Sequence, residues 1–323
     1  MGLRQLALVA SAAAIATWVT PAAAWEPEKA IEFVVPYSAG GGSDVNARML
    51  VDTIRKNDLV DQNIMVLNKP GGSGAVGNTY TFSKKGDGHV IQTFNSGQMM
   101  STISNDAAVK LENLTPLGTL ALDTLMLVVS ADGGAPTYAD LVAEAKAEPQ
   151  SVTVGGAARG SEDNLVFTML NDSADIELQY VPFEGGGEIL AALLGGHIDA
   201  AIANPSEVGS QVEAGRVKVL GTFSEERLGE PFSDVPTFIE QGYPEVSFTM
   251  FRGYAGPPEM PEEAVAYWND VLKKASETEQ WKNEYVAQSG LIDRYMDAAE
   301  SKNFYMQEEK KYRALLEAAG FLQ

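Results

Sequence analysis

The chain contains no cysteine and only two histidines, His89 and His197. Without thiols there is no disulfide framework, and no residue to carry a lipid anchor at a processed N-terminus. Zinc sites and histidine-based triads likewise lack their raw material, and each histidine reads as a turn or surface residue. Basic residues are scarce, with 23 Lys and Arg against 44 Asp and Glu, a formal net charge of −21. That balance argues against nucleic acid and acidic membrane surfaces as partners. Beyond the N-terminus, no apolar run approaches the roughly 18 residues a membrane span needs.

The one long apolar run, Leu6 to Val19, follows the lone basic Arg4 and precedes Ala22, Ala23 and Ala24. A basic start, an apolar centre and a small-residue cleavage site make a secretory signal peptide, so residues 1–24 are set apart and the mature chain is expected to begin at Trp25. A single arginine is a poor twin-arginine signal, which leaves ordinary export. The expectation is a freely diffusing periplasmic protein. With 323 residues, 45% hydrophobic and 21% charged, the chain has the material for a sizeable core and about two domains.

What is plentiful is glycine, 31 residues, and its placement organises the chain. In IEFVVPYSAGGGSDVNARML, residues 31–50, a β-branched and aromatic run closed by Pro36 is followed by Gly40, Gly41 and Gly42 and then a helix pattern. Ser43 or Asp44 is the expected N-cap, with Val45, Met49, Leu50 and Ile54 on one buried stripe. A glycine loop feeding a helix N-terminus presents unpaired N–H groups and the positive end of the helix dipole, which together suit an anion. Taken alone, the same pattern is an ordinary tight turn. The device recurs, however, in SVTVGGAARGSEDNLVFTML, where Ser161 is the expected N-cap, and in LQYVPFEGGGEILAALLGGHIDAAI.

The net negative charge does not forbid an anionic ligand. Surface charges are screened beyond about 8 Å at physiological salt, whereas hydrogen bonds to a charged group contribute ~1.5 to 3 kcal/mol each in a closed site. Asn95 and Gly97 end the strand pattern of VIQTFNSG, where ligands of open α/β sheets collect.

Enzyme chemistry finds no constellation. Gly41 to Val45 lacks the final glycine of a nucleophile elbow, no Walker pattern is present, and nothing in the sequence pairs two carboxylates for acid–base work. Gly72, Gly74 and Gly77 form a formal GxGxxG, but Asn68 to Pro70 intervene after the strand and no acid follows at the ribose position, so a plain glycine-rich turn is favoured. No cofactor is implied. Arg159 and Arg252 stand in glycine-bearing segments. For Arg159 a carboxylate clamp and a solvated loop residue both stand, and for Arg252 surface solvation is favoured. The pattern restarts after Leu125, and a Pro- and Gly-rich return precedes Gly256. This predicts one lobe from residues 25–123 and 248–323 and another from 124–247.

Several of these segments together resemble the periplasmic solute receptors of tripartite tricarboxylate transporters, the Bug receptors: VVPYSAGGGSDVNAR, NKPGGSGAVGN with the GDG turn, GGAARGSEDNL, VPFEGGGEILAALLGGHID, VPTFIEQGYP and GYAGPPEMP, in that order over nearly all of the mature chain. The resemblance implies a two-lobed α/β periplasmic binding protein of the type II, Venus-flytrap kind, with discontinuous domains and a central cleft. It implies a di- or tricarboxylate as favoured ligand, delivery by a monomer to membrane transporter subunits, and no enzyme activity. A sensory receptor or an enzyme on the same fold are the alternatives. By position it carries over Tyr37, Gly40, Gly41, Gly42, Ser43 and Asp44 from the first loop, and Gly160, Ser161, Phe183, Gly185, Gly186 and Asp199 from the second lobe. The family pattern is not met at Arg159, Asn164, Ala203 and Phe251, where a small or apolar residue, His, an acid and Trp are usual.

Overall fold

The computed structural model describes residues 25–322 apart from 106 and 108. The signal-peptide expectation falls on residues 1–24, outside the described residues. In chain order the elements are β1 (Ile31–Val35), α1 (Gly42–Lys56), β2 (Ile64–Asn68), α2 (Ala75–Ser83), β3 (Val90–Asn95), α3 (Ser96–Ser104), β4 (Thr115–Thr124), β5 (Met126–Ser130) and α4 (Tyr138–Ala147). They continue with β6 (Thr153–Gly156), α5 (Glu162–Ala174), β7 (Gln179–Pro182), α6 (Gly186–Leu194), β8 (Ala200–Ala203), α7 (Pro205–Glu213) and β9 (Val217–Thr222). The last are β10 (Thr249–Gly256), α8 (Glu262–Glu277), β11 (Ile292–Met296) and α9 (Ala298–Ala318), with a π-helical stretch at Gln280–Ala287 before β11.

The strands form two sheets. One has the order β11-β4-β10-β3-β1-β2 and the other β7-β6-β8-β5-β9. In the first, β1 runs parallel to β2 and β3, while β10 is antiparallel to both β3 and β4. In the second, β6 is parallel to β7 and β8, and β5 is antiparallel to its two neighbours. Only Leu125 separates β4 of the first sheet from β5 of the second, so the chain changes lobe in one extended step. The return runs through residues 223–248 and is tied to the outward passage: Phe223 N–H donates to Leu125 C=O (2.9 Å) and Phe248 N–H to Phe223 C=O (2.7 Å).

The first lobe is built on an apolar cluster in which Phe33, Leu50 and Ile54 meet Trp268 and Trp281, with Val45 and Met49 partly buried against it. The expected stripe of α1 is therefore present, but the helix starts earlier than expected. Gly41 is the N-cap, and Asp44, already in the first turn, turns its carboxylate back to Gly40 N–H (2.9 Å). Gly77 of the formal GxGxxG packs against Pro36, where a Cβ would lie 2.6 Å from the proline Cβ. Its role is to let α2 approach the end of β1 closely.

The GDG turn carries a charge that senses acid. Burial opposes ionisation of Asp87, but Lys29 (2.9 Å) and His89 N–H (3.0 Å) donate to it and hold its pKa at about 2. Its folded value lies below the ordinary value of about 3.9, so its stabilisation is present above that pH and disappears as pH falls toward 2. Asp87→Asn should therefore be less stable than wild type at neutral pH, with the difference vanishing across that window in urea melts. Lys29 is 62% exposed, so solvent screening keeps the effect small.

Candidate functional site

Between the two sheets lies a cavity of about 560 Å³, its open mouth and the solvent in it included. Tyr37, Gly41, Gly42, Ser43, Asn95, Ser101 and Arg252 line it from the first lobe. From the second lobe come Ala157, Ala158, Ser161, Glu162, Asp163, Gly185, Gly186, Ile189, Ala203, Asn204 and Glu207. The geometry follows from topology. Strands β1, β3, β6, β7 and β8 each deliver the chain, at their C-terminal ends, into a helix: α1, α3, α5, α6 and α7. The five N-caps are Gly41, Asn95, Ser161, Gly185 and Asn204, and all five lie on the cavity wall.

The two glycine loops meet across the cavity mouth. A Cβ on Gly41 would lie 3.3 Å from Gly186 N, one on Gly40 would lie 3.8 Å from Gly187 Cα, and Ser38 Oγ donates to Glu188 Oε1 (3.1 Å). Asn95 works on both sides of its position: its Oδ1 accepts from Gln98 N–H (2.8 Å) to cap α3, and its Nδ2 donates to Ser43 Oγ (2.9 Å).

Arg252 is not the surface residue expected from sequence. It is 3% exposed and lines the cavity, because β10 is an inner strand of the first sheet, hydrogen-bonded on both sides. Its Nε donates to Asp123 Oδ2 at 2.7 Å, and its Nη2 donates to the same oxygen. Burial pushes the Asp123 carboxyl up, and the guanidinium pulls against that rise; burial also works against the Arg252 charge, but Asp123 overrides it and holds the guanidinium above its usual value. Asn204 Nδ2 completes the cluster by donating to Asp123 Oδ2 (3.2 Å) and Thr124 C=O (3.0 Å).

Glu207 bridges the lobes. One oxygen accepts from Asn204 N–H (3.0 Å), closing the first turn of α7, and the other accepts from Gly42 N–H (2.6 Å) at the start of α1. An internal carboxylate thus rests on the N-terminus of α1. Glu162 and Asp163, the first residues of α5, face the same space; Asp163 accepts from Ala157 N–H (2.7 Å). Burial pushes Glu162 up to about 7 and raises Asp163 as well.

Of the residues singled out in the sequence, Tyr37, Gly41, Gly42, Ser43, Asn95, Ser161, Gly185 and Gly186 stand on the cavity wall. The others do different work. Gly40 holds the first loop through Asp44, and Asp44 is itself spent on Gly40, Arg48 and Asn68, which outweigh its burial and lower its pKa. Gly97 leaves no room for a Cβ beside the Glu162 carboxylate. Gly160, at φ +77, accepts from Ser104 Oγ (3.2 Å) and joins the lobes behind the cavity. Phe183 packs its ring toward Gly155 among the apolar residues of the second lobe. Asp199 lies at the opposite edge of the sheet, entering β8 at its N-terminal end, where it accepts from Thr153 N–H (2.8 Å) and Oγ1 (2.6 Å).

Arg159 is exposed and is not part of the cavity wall, so the solvated-loop alternative is the one the geometry favours. Arg159→Ala is expected to change affinity for matched mono- and dicarboxylates by less than about twofold, with no change in their ratio. Competition titrations would check this, and a selective loss of the dicarboxylate would reinstate the clamp.

Sequence inspection missed Asp123, Glu162, Asp163, Asn204 and Glu207. Two signals were available: Ser161 directly precedes two acids at a helix start, and Asn204 stands three residues before Glu207, the spacing of a capping box, just after the apolar strand β8. Among the positions departing from the expected pattern, Ala203 is on the wall, Asn164 accepts from Gly160 N–H (3.1 Å), and Phe251 is buried against Tyr305 with ring centroids 4.8 Å apart.

Two α/β lobes around a cavity ringed by helix N-termini define a solute-binding receptor. The chain belongs to the tripartite tricarboxylate transporter receptor family, whose sequence profile matches residues 46–321; this is a family of substrate-binding receptors, not of enzymes. A UPF0065 protein from the gbd 5′ region of Cupriavidus necator is 28% identical over 322 residues, covering 98% of this chain and 97% of its own length. MatC from Rhodopseudomonas palustris, solved with bound malate, shares the fold at a TM-score of 0.81 and 21% identity, over 90% of this chain and 99% of its own. A second R. palustris protein, solved with adipate, does so at 0.83 and 21%, over 91% and 98%.

Proposed function

We propose that this receptor binds a small organic carboxylate in the periplasm, as a monomer, and delivers it to the membrane subunits of a tripartite tricarboxylate-type transporter. The observation that carries this is the convergence of five N-caps on one cavity. Every helix places the positive end of its dipole at its start; Asn95 caps α3 and the Asn204–Glu207 capping box closes α7, so the starts of α1, α5 and α6, which carry no side-chain cap, are the ones that favour an anion. Glu207 on Gly42 N–H supports the chemistry, since a carboxylate already sits at one of these ends. The malate and adipate held by proteins of the same fold support the ligand class.

The carboxylate is held mainly by main-chain N–H groups of the Gly40 to Asp44 and Gly185 to Gly187 loops, directly or through waters. The lobes comprise residues 25–123 with 248–323, and 124–247, and they move about Leu125 and its partners Phe223 and Phe248. Among the described residues no helix is long and apolar enough to cross a membrane.

A thermal-shift panel of small carboxylates and their primary amides tests this proposal. A cognate acid at about 100 times its dissociation constant stabilises by ~2.7 kcal/mol, and its uncharged amide does not. Equal shifts for acid and amide, or no shift with any carboxylate, would contradict it.

A further inference from the structure

The gap between the two glycine loops already holds a carboxylate, and it belongs to the protein. Glu207 Oε1 accepts from Gly42 N–H at 2.6 Å, reaching from the second lobe to the first. The same oxygen lies 3.6 Å from where a Cβ of Gly41 would stand, and a Cβ on Gly186 would collide with it. The side chain therefore rests against the starts of α1 and α6 at once. Neither start has a side-chain cap of its own.

The contact is braced from behind. The other carboxylate oxygen accepts from Asn204 N–H (3.0 Å), and the Asn204 side chain donates to Asp123 (3.2 Å) and Thr124 C=O (3.0 Å), beside the crossing between lobes. Gly42 admits this arrangement, because a Cβ there would lie 2.8 Å from Asn204 Oδ1. Burial pushes the Glu207 carboxyl up, while the Asn204 and Gly42 N–H groups and the Arg252 guanidinium pull it back toward the charged form. The hydrogen bond from Ser38 to Glu188 at the cavity mouth is exposed and competes with water. Glu207 thus supplies the buried, charge-assisted contact between the lobes at this gap, the stronger kind.

We infer that Glu207 is a clasp: its carboxylate stands in for that of the ligand between the glycine loops, holds the lobes together, and is displaced when an incoming carboxylate takes Gly42 N–H. This rests on the carboxylate-receptor reading. Two carboxylates in one gap repel each other, so one must leave. A ligand that has to displace the clasp binds with an apparent affinity lowered by the share of molecules in which the clasp is shut.

Glutamine at this position separates the clasp from the fold. Its single oxygen can serve Asn204 N–H, as in a capping box, but its amino group then faces Gly42 N–H, so α7 keeps its first turn and the link to α1 is lost. Aspartate keeps the charge and is one methylene too short to reach both donors. Calorimetry on the dialysed mature chain with acetate, butyrate, succinate and glutarate, together with small-angle scattering of the same samples without them, tests the inference. Both Glu207→Gln and Glu207→Asp should bind the best of these acids about ten- to a hundredfold more tightly than wild type, the worth of one charge-assisted contact. Both should also show a larger radius of gyration before ligand is added. Unchanged or weaker binding, or an unchanged radius, would overturn the clasp and leave the receptor reading standing. A gain for Glu207→Gln that Glu207→Asp does not share would also overturn it, since charge repulsion alone would then account for the effect. If none of the four acids binds any of the three proteins, the scattering decides the clasp by itself.

Discussion

Replacing Arg252 with methionine should lower the stability of the unliganded protein by about 3–5 kcal/mol, the usual consequence of removing one partner from a buried ion pair. The Asp123 side chain has no exposed surface. Without the guanidinium it keeps only the Thr124 N–H and Asn204 donors, too little to hold a charge out of water. The remedy open to the protein is protonation: with Arg252 gone, its pull against the upward push of burial on the Asp123 carboxyl is lost, and the Thr124 N–H is left to oppose it. The penalty of Arg252→Met should therefore shrink as pH falls, because the uncompensated charge disappears. Asp123→Asn combined with Arg252→Met should recover part of the loss at neutral pH. Urea denaturation of the wild type and both variants from pH 5 to 8 measures this. A single-variant loss under about 1 kcal/mol, or a loss that grows toward acid, would show that the pair does not anchor the cavity floor.

Gly41→Val has its large effect on binding instead. Gly41 sits at φ −81, which valine adopts freely, so the substitution stores no backbone strain. Its Cβ would stand 3.3 Å from Gly186 N and 3.6 Å from Glu207 Oε1, already tight, and the two methyl groups beyond it would enter the gap across which the lobes close. Keeping the loops apart removes at least two charge-assisted N–H contacts, ~3 to 6 kcal/mol, or a loss of roughly a hundred- to ten-thousandfold. Calorimetry against the cognate acid reads the affinity, and a melt without ligand verifies that the fold is unchanged. Unchanged affinity would mean that the glycine loops do not grip the ligand.

How far the sequence spoke depended on whether a feature was local. The run from Ile31 to Leu50 could be read because strand, glycine turn and amphipathic helix are encoded within twenty residues, and β1, the loop and α1 follow it. The helix α3 was hard to read: in SGQMMSTIS only Met99, Met100 and Ile103 are apolar, and although their spacing is helical it spans barely more than one turn. Its start is instead fixed by Asn95, which was legible as the end of a strand. The acidic floor was invisible for a different reason. Asp123 and Arg252 are 129 residues apart and meet because β4 and β10 pair antiparallel, with Met250 opposite Asp123. Glu207 reaches Gly42 from 165 residues away. No window along the chain contains such pairs, and they decide the charge of the cavity. Asp199, carried over by likeness of position alone, stands at the edge of the second lobe, and Phe183, carried over likewise, is partly buried against its core.

A crystal structure of the mature protein with a carboxylate taken from the thermal-shift panel tests the central claim most directly. The ligand carboxylate is predicted to lie between the glycine loops, its oxygens within hydrogen-bonding reach of main-chain N–H groups at the starts of α1 and α6, directly or through one water. A carboxylate bound outside that cavity, or held inside it by Arg252 with no main-chain N–H contact, would contradict the account.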